Sequence, residues 1–318
     1  MKTKLLLSVL ALAATSAFAQ YPSRAVTLVV GFAPGGGTDT VARVVQRPLG
    51  ERLGQQVVVD NKPGAGGNIA TDMTAKSAPD GQLVMLANVG SLTVAPHLVK
   101  DLPYNPLRDL APVSMGVIFP NLVVVHASVP ASNLAEFIKL AKENPGKYTY
   151  GSSGIGGAGH LAGELLKMMA GIDIVHVPFK GGGPAMQAML GGQIHAYMAT
   201  PVAAGPHVRA GKAKALATTG PQRDPLTPDV PTVAESGYPG YQATNWYAFV
   251  VAGRTPRAIV ERLNRDIVAT LKDPQVIALL RKQGVEPQPG TPEELAKFMK
   301  SEYETWGRVV KEAKIQVQ

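Results

Sequence analysis

The sequence twice follows a short apolar segment with a glycine-rich loop and then a helix-like segment. The first unit runs from Val26–Val30 through the loop Gly31–Asp39 into a stretch with apolar residues at helical spacing. The second runs from Tyr148–Tyr150 through the loop Gly151–His160 into the amphipathic segment Leu161–Met169. Short apolar runs of this kind are typical of buried strands in α/β folds. Ligands bind such folds at the carboxyl ends of the strands, which is where both loops lie.

The rest of the chain extends this alternation, and its 318 residues suggest two domains. Further strands are predicted at Gln56–Val59, Gln82–Ala87, Leu122–Val125, Ile174–Val177, Gln193–Tyr197 and Ala213–Thr218. Further helices are predicted at Asn133–Lys142, Pro256–Leu271, Pro274–Gln283 and Thr291–Lys314. A strand at Asn245–Val251 is expected to bring the chain back to its first half. We therefore predict one lobe from residues 20–124 plus 244–318, and a second from 125–243.

The first 19 residues have the pattern of a secretory signal peptide. Lys2 and Lys4 precede an apolar run at 5–14, and Ala17-Phe18-Ala19 is an A-x-A cleavage site. The run is too short to span a bilayer. Cleavage after Ala19 would lower the formal net charge from +8 to +6, because it removes the two lysines. We predict export to the periplasm, without a lipid anchor or disulfides because the sequence has no Cys.

The composition argues against several classes of function. The basic residues are dispersed along predicted helices, so nucleic-acid binding is not expected. The six His show no metal-ligand spacing, and we predict neither a metal nor a cofactor. The first loop lacks the Gly-Lys-Ser/Thr ending of a nucleotide phosphate loop.

Each glycine loop is a candidate anion site, because free amides and the positive end of a helix dipole meet where a helix begins. In the first loop the candidate residues are Phe32, Pro34, Gly35, Gly36, Gly37, Thr38 and Asp39. A purely structural alternative is a tight turn in which Asp39 only caps the helix.

The second loop matches G-x-G-x-x-G at Gly154, Gly156 and Gly159. A dinucleotide-binding fold needs an acid at the far end of the next strand, but Asp173 lies at the start of that predicted strand. A dinucleotide site is therefore not expected. Ser152 and Ser153 offer hydroxyl donors for a carboxylate, although a helix-capping serine turn remains an alternative. A second alternative is a secreted α/β serine hydrolase that uses one of these serines and one of the six His.

An ordered set of motifs over nearly the whole chain resembles the Bug-type substrate-binding proteins of tripartite tricarboxylate transporters. The motifs, by number, are the segments 21–24, 32–39, 61–68, 78–81, 102–104, 150–154, 160–164, 175–181, 190–193 and 229–235. The resemblance implies a two-lobed periplasmic-binding-protein fold of type II, with helices flanking each sheet and a ligand held in the interlobe cleft. It implies a solute receptor and not an enzyme.

The resemblance also implies ligands, partners and further site residues. Family ligands include dicarboxylates, tricarboxylates, acidic amino acids and aromatic carboxylates, and the partners are permease subunits in the membrane. Its implied ligand residues in the second lobe are Ser152, Ser153, Gly154 and Ile155, with Asn88, Ser91 and Thr200 as further lining. Many members have Phe-Asp-Asn where this chain has Met198-Ala199-Thr200. Without that acid we predict a carboxylate that has no free amine, bound by a monomer.

Overall fold

The computed structural model describes residues 21–312, so the predicted signal peptide at 1–19 lies outside the described residues. Within this range the strands are β1 Val26–Val30, β2 Val57–Asn61, β3 Leu83–Asn88, β4 Leu110–Pro120, β5 Leu122–His126, β6 Thr149–Ser152, β7 Val175–Pro178, β8 Ala196–Ala199, β9 Ala213–Thr218, β10 Thr244–Ala252 and β11 Glu286–Pro287. No helix in residues 21–312 is long and apolar enough to cross a membrane.

Helices connect most of these strands. In residues 21–312 they are α1 Gly37–Leu53, α2 Asn68–Ala75, α3 Ala95–Leu98, α4 Pro106–Asp109, α5 Leu134–Glu143, α6 Ala158–Ala170, α7 Gly182–Leu190, α8 Pro201–Arg209, α9 Arg257–Leu271, α10 Pro274–Lys282 and α11 Pro292–Glu312. A short 3₁₀ turn covers Ala65–Gly67, and a π-helical turn covers Gly90–Val94.

The first sheet has the strand order β11-β4-β10-β3-β1-β2. Strand β1 pairs in parallel with β2 and β3, whereas β10 is antiparallel to β3 and β4. Alternate residues of β1 enter different cores: Leu28 packs with α1 and α9, and Val29 packs with α2 and α11. This sheet is therefore buried on both faces, as its nearly continuous apolar strands predict.

The second sheet has the order β7-β6-β8-β5-β9, with β6 parallel to β7 and β8 and with β5 antiparallel to β8 and β9. Helices α5 and α6 pack on one face around Phe137 and Leu166, and α7 and α8 pack on the other around Met189 and Ala204. The predicted α/β class, with two sheets flanked by helices, is confirmed.

The chain crosses between the sheets at two places, one between β4 and β5 and one just before β10. The two crossings are hydrogen-bonded to each other. The backbone amide of Asn121, between β4 and β5, donates to Thr219 Oγ1 at 2.8 Å, and the Thr219 amide donates to the Asn121 carbonyl at 2.9 Å. Thr219 Oγ1 also donates to the carbonyl of Ala243, just before β10, at 2.6 Å. These three residues link the two segments that join the sheets.

Two features of the fold differ from the sequence-based expectation. Strand β4 contains Pro112, Gly116 and Pro120, which disfavour a strand. The register opposite β10 shifts at two points, where Val113 and Gly116 have no partner in the ladder. The predicted lobe boundary at 124/125 falls inside β5, whose residues from Leu122 onward all pair with the second sheet.

Candidate functional site

A narrow cavity lies between the two lobes where the glycine loops meet. Its free volume is about 10 Å³, room for about one water molecule. Residues from both sheets line it: Phe32, Gly36, Gly37, Thr38, Asn88, Ser153, Ala158, Gly182, Thr200, Asn245 and Tyr247.

Four helices begin at this cavity. Helix α1 starts at Gly37, α6 at Ala158 and α7 at Gly182, and Thr200 is the N-cap of α8. Each helix N-terminus carries about half a positive charge and several unpaired amides. Among residues 21–312, no Lys, Arg, Asp or Glu lines the cavity. The positive potential in the cavity therefore comes from the backbone and not from ionised side chains.

Asp39 fixes the shape of the first loop from behind. Its Oδ2 accepts from the Gly35 amide and from Arg43 Nε, both at 3.0 Å, and its Oδ1 accepts from Asn61 Nδ2 at 3.0 Å. Burial alone would raise the pKa of Asp39, but the hydrogen bonds from Arg43, Gly35 and Asn61 outweigh it and lower the pKa. Both carboxylate oxygens thus accept hydrogen bonds from the loop and from its neighbours Arg43 and Asn61. Asp39 is therefore a positioning residue and does not line the cavity.

Ser152 and His176 form a hydrogen-bonded pair behind the second loop. Ser152 Oγ lies 2.7 Å from His176 Nε2, donates to the Gly154 carbonyl at 3.0 Å and accepts from the Gly154 amide at 3.2 Å. A hydroxyl has one proton, so with that proton on Gly154 the serine accepts from Nε2–H of a neutral imidazole. Ser152 is also fully buried. Because Ser152 is buried and donates its proton to the Gly154 carbonyl, the pair supports the loop.

His160 completes the support of the second loop. Its Nδ1 accepts from the Gly156 amide at 3.1 Å, and its ring stacks on His176 with centroids 4.2 Å apart. Burial lowers the pKa of His160, and burial together with His160 lowers the pKa of His176 to about 3. Only a neutral His160 can accept this bond, so the geometry of the loop requires an unprotonated His160.

We expect the buried histidines His160 and His176 to make the protein acid-sensitive. The pKa of His176 is about 3 when folded and ~6.5 when unfolded, so the unfolded state binds more protons between these values. The unfolding free energy should therefore fall as pH drops from about 6.5 towards 3, by on the order of 1.4 kcal/mol per unit of pKa difference. Thermal unfolding against pH measures this slope. His176→Gln should flatten it, and an unchanged slope in this variant would contradict the assignment.

The predicted site residues fall into three groups in the structure. Seven of them line the cavity: Phe32, Gly36, Gly37, Thr38, Asn88, Ser153 and Thr200. Pro34 and Gly35 instead line a separate pocket of about 420 Å³ between the first loop and helices α7 and α8. The others lie behind or beside the loops, namely Asp39, Ser91, Ser152, Gly154 and Ile155.

Four lining residues were missed by the sequence-based prediction. Gly182 and Ala158 are the first residues of α7 and α6, and Asn245 and Tyr247 lie on β10. Tyr247 pairs with Asn88 of β3, so Asn245, two residues earlier, lies on the same face of the sheet. The strand at Asn245–Val251 was predicted from the sequence, but its register with β3 was not. Without that register, Asn245 and Tyr247 could not be assigned to the cavity.

The two lobes touch through glycines on both sides of the cavity. On one side the Ala33 amide donates to the Lys180 carbonyl at 3.0 Å, and a Cβ at Gly36 would lie 3.2 Å from the Gly182 amide nitrogen. On the other side a Cβ at Gly66 would overlap the carbonyl oxygen of Ile155. We call these the two glycine contacts. They allow backbone to meet backbone across the cleft.

Comparison with known proteins gives one family. A model described as "Tripartite tricarboxylate transporter family receptor" matches residues 41–315. The structure of periplasmic binding protein BugD superposes with a TM-score of 0.91 at 34% identity, covering 94% of this chain and 100% of that one.

Two further solved structures contain carboxylates. A Rhodopseudomonas palustris protein with adipate gives a TM-score of 0.90 at 35% identity, covering 93% of this chain and 99% of that one. MatC from Rhodopseudomonas palustris with bound malate gives 0.87 at 35% identity, covering 91% of this chain and 100% of that one. The resemblance found in the sequence is confirmed: the chain belongs to the tripartite tricarboxylate transporter receptor family, as a Bug-type solute-binding protein and not an enzyme.

Proposed function

We propose that the cavity captures a small organic carboxylate between the lobes. The observation that carries this proposal is the meeting of four helix N-termini, α1, α6, α7 and α8, at one cavity. A carboxylate that accepts charge-assisted hydrogen bonds gains ~1.5–3 kcal/mol from each. Three such bonds can offset its desolvation and approach the ~8 kcal/mol of a micromolar complex. The adipate and malate complexes of relatives support the same ligand class.

The proposal includes transport. Residues 1–19 direct export, and the mature receptor works in the periplasm as a monomer that delivers its ligand to the permease subunits of a tripartite transporter. The support is the signal-peptide pattern in the sequence together with the family to which the chain belongs. Closure of the two lobes over the ligand would give the permease a shape that distinguishes loaded receptor from empty receptor.

The cavity favours a ligand without an ammonium group. No Asp or Glu lines the cavity among the residues that the structure describes. A ligand ammonium would therefore face positive helix termini with no counter-charge.

Matched ligands test the proposal. Free mono-, di- and tricarboxylates should be compared with their uncharged methyl esters or amides by thermal shift and then by calorimetry. We expect at least one free acid to raise the melting temperature, by several degrees at saturating concentration, and its neutral derivative to have no effect. Equal shifts with acid and ester, or no shift with any acid, would contradict carboxylate capture.

A further inference from the structure

An apolar pocket is formed by residues of both lobes outside the glycine loops. Its volume is about 590 Å³, within the usual range of small-molecule sites. The first lobe contributes the end of β4, with Phe119, and the turn before β11, with Val285. The second lobe contributes the loop after β9, with Asp224 and Leu226. Among residues 21–312, this pocket and the cavity at the glycine loops share no lining residue.

The wall of this pocket includes a buried carboxyl group. Asp224 is only 4% exposed. Its Oδ1 accepts from the Leu226 amide at 2.8 Å, and its carbonyl accepts from the Thr227 amide at 2.9 Å, so the residue closes a turn. Within the described chain, Asp224 Oδ2 has no hydrogen-bond partner. The fold therefore uses one oxygen of this carboxyl group and leaves the other without a partner.

The arginines nearest to Asp224 in the chain and on the pocket wall are bound to other acids. Arg223 donates to Glu235 at 3.0 Å. Arg281, which lines the pocket, donates to Glu286 through Nε at 2.9 Å and through Nη2 at 2.6 Å. Burial raises the pKa of Asp224, as expected for a carboxylate whose charge has no cation beside it.

The turn itself does not require a carboxylate. An asparagine forms the same turn, because its amide oxygen can accept the bond from the Leu226 amide. It would do so without burying a charge, which is costly when no opposite charge is near. Buried polar atoms are almost always paired, so the free Oδ2 of Asp224 points to a donor that comes from outside the chain.

The chemistry of the wall defines that donor. Phe119, Leu226 and Val285 present apolar surface, so the body of the ligand is apolar. The ionisable side chains of the described wall are two acids and Arg281, which gives a net charge of −1. An ammonium group supplies both the missing positive charge and N–H donors for a carboxylate oxygen.

We propose that this pocket is a second binding site, which takes a small apolar molecule whose ammonium group donates a hydrogen bond to Asp224 Oδ2. The apolar part of the molecule lies against both lobes, and its charged end reaches the loop after β9. The inference does not rest on the proposed function, because it uses none of the residues that line the cavity at the glycine loops.

Matched small molecules test the inference on the unaltered protein. Hexylamine, cyclohexylmethylamine and 2-phenylethylamine are each compared by calorimetry with the corresponding alcohol and with the N,N,N-trimethyl derivative. We expect at least one amine to bind, and both of its derivatives to bind at least about tenfold more weakly. The alcohol lacks the charge, and the trimethyl derivative lacks the N–H donors. Binding by none of the amines overturns the inference, and so does equal binding of an amine and either derivative.

Variants assign the binding to this pocket. Asp224→Asn keeps an acceptor for the Leu226 amide but removes the charge, and we expect it to weaken amine binding at least about tenfold. Leu226→Ser removes apolar surface at a position that is 39% exposed, and should weaken binding about threefold or more. The control is Asp229→Asn, which removes an exposed acid of the same loop and should bind as the wild-type protein does.

Melting curves confirm that the three variants are folded. Wild-type amine affinity in Asp224→Asn overturns the inference. If Asp224→Asn does not fold, Leu226→Ser decides, and wild-type affinity in that variant overturns the inference instead. The carboxylate panel is a separate measurement on the other cavity, so carboxylate capture and this second site can each fail without the other.

Discussion

Replacing Gly66 with alanine is expected to weaken carboxylate binding at least about 100-fold. A Cβ at this position would overlap the carbonyl oxygen of Ile155 in the opposite lobe, and backbone atoms on both sides leave little room to adjust. The lobes could then no longer close, and a ligand held by the first loop would lose its contacts to Ser153, Gly182 and Thr200. Losing two charge-assisted hydrogen bonds costs ~3–6 kcal/mol, and each ~1.4 kcal/mol is a factor of ten in affinity.

Calorimetry measures the affinity, and small-angle scattering with and without ligand measures closure. Gly66 has a φ of 66°, so alanine also has a backbone cost there of about 1 kcal/mol. Gly54→Ala is the matched control, because Gly54 has a φ of 72° but no neighbouring atom within 4 Å of the new Cβ. This control should lose the same stability and bind normally. Ligand-induced compaction and full affinity in Gly66→Ala would show that closure does not depend on this contact.

Replacing Asp39 with alanine should reduce both stability and binding. The change removes the acceptor of the Gly35 amide and one of the two acceptors of Asn61 Nδ2, which still donates to the Phe32 carbonyl. Hydrogen bonds to a charged group contribute ~1.5–3 kcal/mol each, and less where the donor is partly exposed. Arg43 is half exposed and is resolvated by water, so its lost ion pair adds little. We expect the unfolding free energy to fall by about 2–4 kcal/mol. Carboxylate affinity should fall on the order of tenfold or more, because the amides of the first loop are no longer held in place.

Denaturant unfolding and calorimetry measure the two effects. Glu51→Ala serves as the control, since Glu51 pairs with Arg47 on the same helix at the same four-residue spacing but is largely exposed. We expect a change below about 1 kcal/mol and unaltered binding in that control. If Asp39→Ala bound carboxylates as tightly as the wild-type protein, the loop would not need this carboxylate for its shape.

The sequence predicted the parts of the site that depend on local chemistry. A buried strand, a glycine loop and a helix start follow one another along the chain, so Gly36, Gly37 and Thr38 could be placed at the cavity in advance. Asp39 and Ser152 have suitable chemistry in the right loops. Sequence cannot tell which side of a loop such a side chain faces, and both turn away from the cavity to hold the loop.

Other parts depend on distant segments and could not be read from local patterns. Asn245 and Tyr247 reach the cavity because β10 pairs with β3 in one particular register. Gly182 reaches it because the lobes close on each other. Strand β4 was missed because its prolines disfavour a strand, and its pairing with β10 depends on residues far away in the sequence.

The absence of charged side chains from the described wall of the cavity has a consequence for evolution. In the proposed function, the attraction for an anion comes from the N-termini of four helices and from no single side chain. A point mutation in the wall can therefore change which anion fits without removing the capacity to hold one. Under that proposal, substitutions at wall positions such as 88, 200 and 245 would change which acid fits, while the four helix N-termini stay in place.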